Sequence, residues 1–86
     1  MEAAKRKIVY FWLTHEFLRR MGKRYPEWFK EWVTNNTDNQ TAVKIMLMRY
    51  AGKRPLKFEA IALELGITPR RVFQLHQNTV NAMISK

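Results

Sequence analysis

The chain of 86 residues contains no cysteine, only three glycines and three prolines, and seven acidic residues against sixteen basic ones. Without cysteine, a disulfide framework, a thiolate metal site and a cysteine nucleophile are excluded. No apolar run approaches the roughly 20 residues that a membrane-spanning helix needs, and the first residues lack the uninterrupted apolar block of a signal peptide. We therefore expect a cytoplasmic protein with no membrane partner.

Sets of catalytic residues are missing as well. The acidic residues are scattered, and the sequence has no Ser–His–Asp set, no HExxH run and no glycine-rich phosphate loop. His15 lies between apolar residues, which is more typical of a packed histidine than of a metal ligand. We expect no enzymatic activity, no cofactor and no bound metal.

Positive charge is abundant and spread along the chain. The net charge is +9; residues 1–36 carry 8 basic and 4 acidic side chains, residues 37–50 carry 2 and 1, and residues 51–86 carry 6 and 2. This distribution suits a protein that contacts phosphate from more than one element, with a solvated basic surface as the alternative. So short a chain has a thin core, which self-association into a homodimer would help to stabilise.

The N-terminal part predicts two helices. Residues 3–21 contain no glycine or proline, and their core stripe consists of Tyr10, Leu13, Phe17 and Met21, with Phe11 and Leu18 beside them and Gly22 as the stop. Ile8 and Trp12 point to another side, which indicates a partner or dimer interface or packing within the chain. A second helix begins at Pro26, and we expect its core face to consist of Trp28, Phe29, Trp32 and Val33.

A polar loop over residues 34–39 precedes the third helix, predicted over residues 39–50. Thr37 and Gln40 have the spacing of a capping box. The predicted inward residues are Val43, Met46, Leu47 and Tyr50, with Lys44 and Arg49 outside.

Residues 58–78, FEAIALELGITPRRVFQLHQN, have the pattern of a helix–turn–helix. Gly66 supplies the positive φ that ends the first helix, Thr68 is a cap and Pro69 suits the first position of the second helix. Val72, Leu75 and Thr79 then face inward. The alternative is a helical hairpin that does not contact DNA.

The outward face of the second helix has the chemistry that reads bases in the major groove. Arginine recognises guanine, glutamine recognises adenine, and a phenylalanine ring packs against a thymine methyl. The predicted base-reading residues are Thr68, Arg70, Arg71, Phe73, Gln74 and Gln77. The predicted phosphate contacts are Lys53, Arg54, Lys57 and Asn78. The alternatives are a solvated arginine pair, and a core contact for Phe73.

Residues 38–83 resemble region four of bacterial sigma factors, the domain that reads the upstream promoter element. The agreement lies at Gly66, Ile67, Thr68, Arg71, Val72, Gln74, Leu75 and Met83. The resemblance implies that Arg71 and Gln74 lie at the DNA. Arg70 replaces a common acidic residue of the family and Phe73 a common basic one, so the family's promoter sequence does not carry over.

These patterns together predict an all-α single domain over residues 1–86, a small bundle of about five helices containing a helix–turn–helix. Residues 1–36 form an N-terminal helical pair and residues 37–86 the part similar to region four. We expect a sequence-specific double-stranded DNA-binding transcription regulator with the helix from Pro69 in the major groove, by analogy from a phage or mobile element. The alternatives are an accessory protein for recombination, partition or phage packaging, and an adaptor that binds RNA polymerase through its N-terminal aromatic face.

Overall fold

A computed structural model describes residues 15–84, and this part of the chain is all-α. Counting a π-helical extension with the helix that it follows, residues 15–84 form five helices and no strand, which confirms the predicted all-α class and the expected number of about five helices. They are α1 (residues 15–24), α2 (Pro26–Asn36), α3 (Gln40–Met46) continuing as a π-helical segment (Leu47–Ala51), α4 (Phe58–Leu65) and α5 (Pro69–Ile84).

Two apolar clusters hold these helices together, and α3 and α5 contribute to both. The first cluster joins α1 and α2 to the C-terminal half of α5; its buried members are Leu18, Phe29, Val33, Val43, Met46, Tyr50, Val80 and Met83. The second lies under the N-terminal half of α5, and its buried members are Ala42, Ile45, Ile61, Ala62, Val72 and Leu75. Each buried Val, Leu, Ile, Met or Phe side chain in these clusters contributes roughly 1.5–3 kcal/mol of transfer free energy.

Gly22 does not stop α1, contrary to the prediction. The helix continues through residue 24, and Gly22 is buried against the π-helical segment. A Cβ atom at Gly22 would lie 2.6 Å from the carbonyl carbon of Tyr50 and still closer to its oxygen. The glycine is therefore needed because two backbones touch there.

The start of α3 also differs from the prediction. The side chain of Asn39, not of Thr37, caps the helix, since its Oδ1 accepts a hydrogen bond of 3.1 Å from the Ala42 N–H. Thr37 Oγ1 instead accepts a bond of 3.2 Å from the Asn39 N–H. Thr37 thus supports the capping residue from outside the helix.

The aromatic residues near the N-terminus are less buried than predicted. Phe29 and Val33 are fully buried, but Trp28 is 50% exposed and Phe17 is 48% exposed. Leu18, predicted beside the stripe, is the buried α1 residue of the first cluster, and Met21 packs against that cluster as predicted. Tyr10 and Leu13 lie outside the described residues.

None of the helices within residues 15–84 is long and apolar enough to cross a lipid bilayer.

Candidate nucleic-acid interface

The turn between α4 and α5 is fixed by local backbone chemistry. Gly66 adopts φ 69° and ψ 32°, the left-handed conformation that glycine tolerates best. The N–H groups of Gly66 and Ile67 both donate to the Ala62 carbonyl, the latter at 3.1 Å. Thr68 Oγ1 accepts a hydrogen bond of 3.1 Å from the Arg71 N–H, and Pro69 is the first helical residue. These three features place α5 directly after a three-residue turn, as the sequence predicts.

One side of α5 is anchored in the core. Val72 is fully inaccessible to solvent, and Leu75, His76 and Thr79 are also buried. The hydroxyl of Thr79 donates to the Leu75 carbonyl at 2.7 Å, so its burial leaves no hydroxyl hydrogen unpaired. The anchored side fixes the rotation of the helix about its own axis.

The opposite side of α5 is open to solvent over its first two turns. Arg70 and Gln74 are exposed and lie four residues apart, so they share one face of the helix. Thr68 and Arg71 are exposed beside them. The helix carries two arginines and no acidic residue, so this face combines positive charge with an amide that can both donate and accept hydrogen bonds.

Phe73 lies on the same face but is not free. Its ring meets the Phe58 ring edge to face, with centroids 5.8 Å apart, and 46% of the side chain remains exposed. The predicted core contact therefore holds in part, since one edge packs on α4, and base reading by the exposed remainder stays a prediction. An aromatic ring held in this way offers a rigid apolar surface.

Gln77 departs from the predicted exposed set. Its side chain is only partly accessible, and its Oε1 is buried without a hydrogen-bond partner. The residue comes directly after the buried His76. Gln77 is therefore less accessible than predicted, although Asn78 next to it is exposed.

The predicted phosphate contacts are all exposed, but they are not equally close to α5. Lys57 is the N-cap of α4 and directly precedes Phe58, whose ring contacts Phe73. Asn78 is exposed on α5 itself. Lys53 lies against α1, in a cleft with Arg19 and Lys23. No described contact joins Arg54 to α5. The predicted partner residues Ile8 and Trp12 lie outside the described residues.

Arg49 is a residue that the sequence analysis misplaced. It was predicted to face solvent, yet its guanidinium lies over the Phe58 ring, 4.1 Å from the centroid, and Nη1 donates to the Leu56 carbonyl at 3.0 Å. Its Nε is buried without a hydrogen-bond partner. Arg49 therefore binds the 52–57 segment to α4 while keeping a positive charge below the surface.

His76 was missed altogether. Its Nε2 lies 2.6 Å from Tyr50 Oη, and His15 Nδ1 lies 3.4 Å from the same oxygen. The pKa of His76 is lowered to about 4, first by burial and then by the positive charges of Arg49 and of His15. A side-chain interaction with Gln77 acts in the opposite direction and raises the pKa. The pKa of His15 is also lowered, mainly by burial and then by Arg49 and Arg19. Near neutral pH both rings are uncharged, so the contact of Tyr50 with His15 and His76 adds no charge to the core.

Within residues 15–84, no group of three or more histidine or acidic side chains is arranged to hold a metal ion. Comparison of the chain with protein-family models, with curated proteins and with solved structures gives no match. The resemblance of residues 38–83 to region four of sigma factors therefore stays a prediction from sequence.

Proposed function

We propose that the chain is a sequence-specific double-stranded DNA-binding transcription regulator in which α4 and α5 act as a helix–turn–helix. The N-terminal turns of α5 would enter the major groove. The observation that carries this proposal is the exposed face of Arg70, Gln74 and Phe73 on a helix whose other side is locked into the core.

The chemistry of this face fits base recognition. A major groove about 12 Å wide admits one α-helix, and arginine and glutamine form paired hydrogen bonds with guanine and adenine respectively. Phe73 offers an apolar edge suited to a thymine methyl group. Because the packed side of α5 fixes its rotation, these side chains reach bases without an additional ordering step.

The surrounding charge fits binding to the DNA backbone. Lys57 lies at the start of α4, next to the ring pair of Phe58 and Phe73. Contacts of this kind fix the register of a protein on the duplex without reading its sequence. The net charge of +9 favours association with a polyanion and makes it depend strongly on salt.

Selection of bound duplexes from a random pool tests the proposal. We expect one recovered sequence, bound more tightly than a scrambled duplex at several salt concentrations. Arg70→Ala and Gln74→Ala should each weaken binding to that sequence by about 1–3 kcal/mol and relax the preference at one base pair. Equal binding of every duplex by the unmodified protein would overturn the proposal.

Lys57→Ala provides the matched comparison. It removes a charge outside the base-reading face, so it should weaken binding to all sequences alike and reduce the salt dependence. If Lys57→Ala changes the preference at one base pair and Gln74→Ala weakens binding to all sequences alike, then Lys57 reads a base and Gln74 contacts the DNA backbone, contrary to the proposal.

A second candidate function is an adaptor that binds a protein such as RNA polymerase through the N-terminal aromatic residues. Half-exposed Phe17 and Trp28 both contact Trp32, with centroids 6.2 Å and 5.3 Å apart. Exposed aromatic clusters are typical of protein interfaces. Titration of purified RNA polymerase with Trp28→Ala, and with Lys30→Ala as control, tests it; the adaptor function requires loss of binding for the tryptophan variant alone.

A further inference from the structure

A small cleft lies where α1 meets the end of the π-helical segment. It is lined by the basic residues Arg19, Lys23, Arg49 and Lys53, together with Tyr50, Gly52 and Pro55. Its volume is about 30 Å³, which holds one or two water-sized groups. A nucleotide or an organic cofactor does not fit, whereas one or two anionic oxygens do.

Four basic residues line this cleft, and none of its lining residues within 15–84 is acidic. Among the described residues the one ion pair is that of Arg20 with Glu16, so none of the four has a carboxylate partner there. Like charges held together destabilise the free protein, and a bound anion relieves that repulsion. The pKa of the partly buried His15 is lowered first by burial and then by the positive charges of two cleft residues, Arg49 and Arg19.

The fold builds this cleft from residues far apart in the sequence. Arg19 and Lys23 are four residues apart and share one side of α1. Gly22 lets the backbone of α1 touch the Tyr50 carbonyl, which brings that side of α1 to Lys53. Arg49 is held in place by its bond to the Leu56 carbonyl and by the Phe58 ring.

Arg49, one of the residues that line the cleft, also lies close to the base-reading face. Its guanidinium carbon is 4.1 Å from the Phe58 ring centre, and the Phe58 and Phe73 ring centres are 5.8 Å apart. The Arg49 guanidinium carbon and the Phe73 ring centre are therefore at most 9.9 Å apart, the sum of these two distances. A major groove is about 12 Å wide. A helix that reads bases with Phe73 would therefore bring a phosphate strand within reach of Arg49, one of the residues that line the cleft.

We propose that the cleft formed by Arg19, Lys23, Arg49 and Lys53 is a phosphodiester site, which seats one backbone phosphate of the duplex that α5 reads. This inference rests on the proposed function. It assigns the N-terminal helical pair a direct role in DNA binding, because Arg19 and Lys23 belong to α1.

The experiment compares two double variants on the same helix. Arg19→Gln with Lys23→Gln removes two cleft charges, and Arg20→Gln with Arg24→Gln removes two charges one position along, outside the cleft. Both lower the net charge by two, and all four residues are exposed, so both proteins should fold alike by circular dichroism. Affinity for the selected duplex is measured by fluorescence anisotropy at several salt concentrations.

We expect the cleft variant to lose about one unit of log–log salt slope, the contribution of one phosphate. It should also bind all duplexes several-fold more weakly, while the control keeps the original slope. If the two variants have equal salt slopes while the unmodified protein still selects one sequence, the cleft is not a phosphate site and the proposed function is unaffected. Absence of sequence preference in the unmodified protein would overturn both.

A titration with inorganic phosphate separates the duplex from free anion as the occupant. Amide chemical shifts of Arg19, Lys23 and Lys53 should respond to phosphate in the free protein and stop responding when the duplex is bound. A phosphate response that persists in the DNA complex would assign the cleft to free anion and overturn the proposal.

Discussion

The two halves of α5 rest on different cores. The N-terminal half, through Val72 and Leu75, lies on an aliphatic cluster built by α3 and α4. The C-terminal half, through Val80 and Met83, lies on a cluster rich in aromatic side chains that includes α1 and α2. The half proposed to read DNA is thus held by residues no earlier in the sequence than Ala42, and the other half also by residues as early as Leu18. Because one helix crosses both, either core can influence the interface.

The largest expected effect comes from Gly22→Ala. The new methyl group would meet the Tyr50 backbone, which cannot move away as a flexible side chain would. We expect a loss of about 3 kcal/mol or more in the free energy of unfolding. Gly66→Ala is the comparison: its Cβ meets nothing within 4 Å, so only the positive φ is penalised, at about 1 kcal/mol. Urea unfolding measures both, and equal losses would contradict the assigned close contact.

The tryptophans allow the same experiment to report on the two halves separately. All three lie between residues 12 and 32, so their fluorescence follows the N-terminal helical pair and the first cluster, against which Trp32 packs. Circular dichroism follows every helix. If α5 couples both clusters into one cooperative unit, the two signals should give the same midpoint in the unmodified protein and in Gly22→Ala. Two separate midpoints would divide the chain into two folding units.

The next effect concerns the junction between the halves, where His76 meets Tyr50. The pKa of His76 is lowered to about 4 in the folded state, against 6.5 for an ordinary histidine. The unfolded chain therefore binds the proton more readily, and stability that is complete above pH 6.5 is lost as the pH falls toward 4. The loss is roughly 3 kcal/mol, and unfolding free energies measured between pH 7 and pH 4 should show it.

The chain contains only two histidines, which makes the control simple. His76→Gln keeps a polar side chain beside Tyr50 but removes the titration, so its stability should change little between pH 6.5 and 5. His15→Gln should retain most of the pH dependence, because His15 is less buried than His76. Stability of the unmodified protein that stays flat from pH 7 to pH 5 would contradict the assignment.

The sequence predicts α4, the turn and the start of α5 closely, for a physical reason. The conformations of Gly66, Thr68 and Pro69 depend on their own backbone and on neighbours within five residues. A glycine at positive φ, a hydroxyl cap and a proline in the first turn are local constraints, readable without the tertiary structure. The exposed side of Arg70 and Gln74 follows from helical periodicity once the buried residues are known.

Elsewhere the environment of a residue depends on contacts between segments that are distant in the sequence. Gly22 reads as a helix stop because nothing local indicates that Tyr50 approaches it. Arg49 reads as a surface residue, since its position over Phe58 is fixed only when the chain folds back. His76 has no apolar character to mark it as a core residue, and its partner Tyr50 is 26 positions away. The cleft lined by Arg19, Lys23, Arg49 and Lys53 could not have been predicted for the same reason, since it joins residues of two distant segments.

The smallest expected effect concerns α3, the helix that supplies residues to both clusters. Asn39→Ala removes the side-chain cap on the Ala42 N–H and should lower the free energy of unfolding by about 1 kcal/mol. Thr37→Ala removes a weaker contact outside the helix and should cost less than about 0.5 kcal/mol. Since α3 belongs to both cores, fluorescence and circular dichroism should shift by the same amount for Asn39→Ala. A larger loss for Thr37→Ala would show that the capping box predicted from the sequence, and not the Asn39 cap, stabilises the start of this helix.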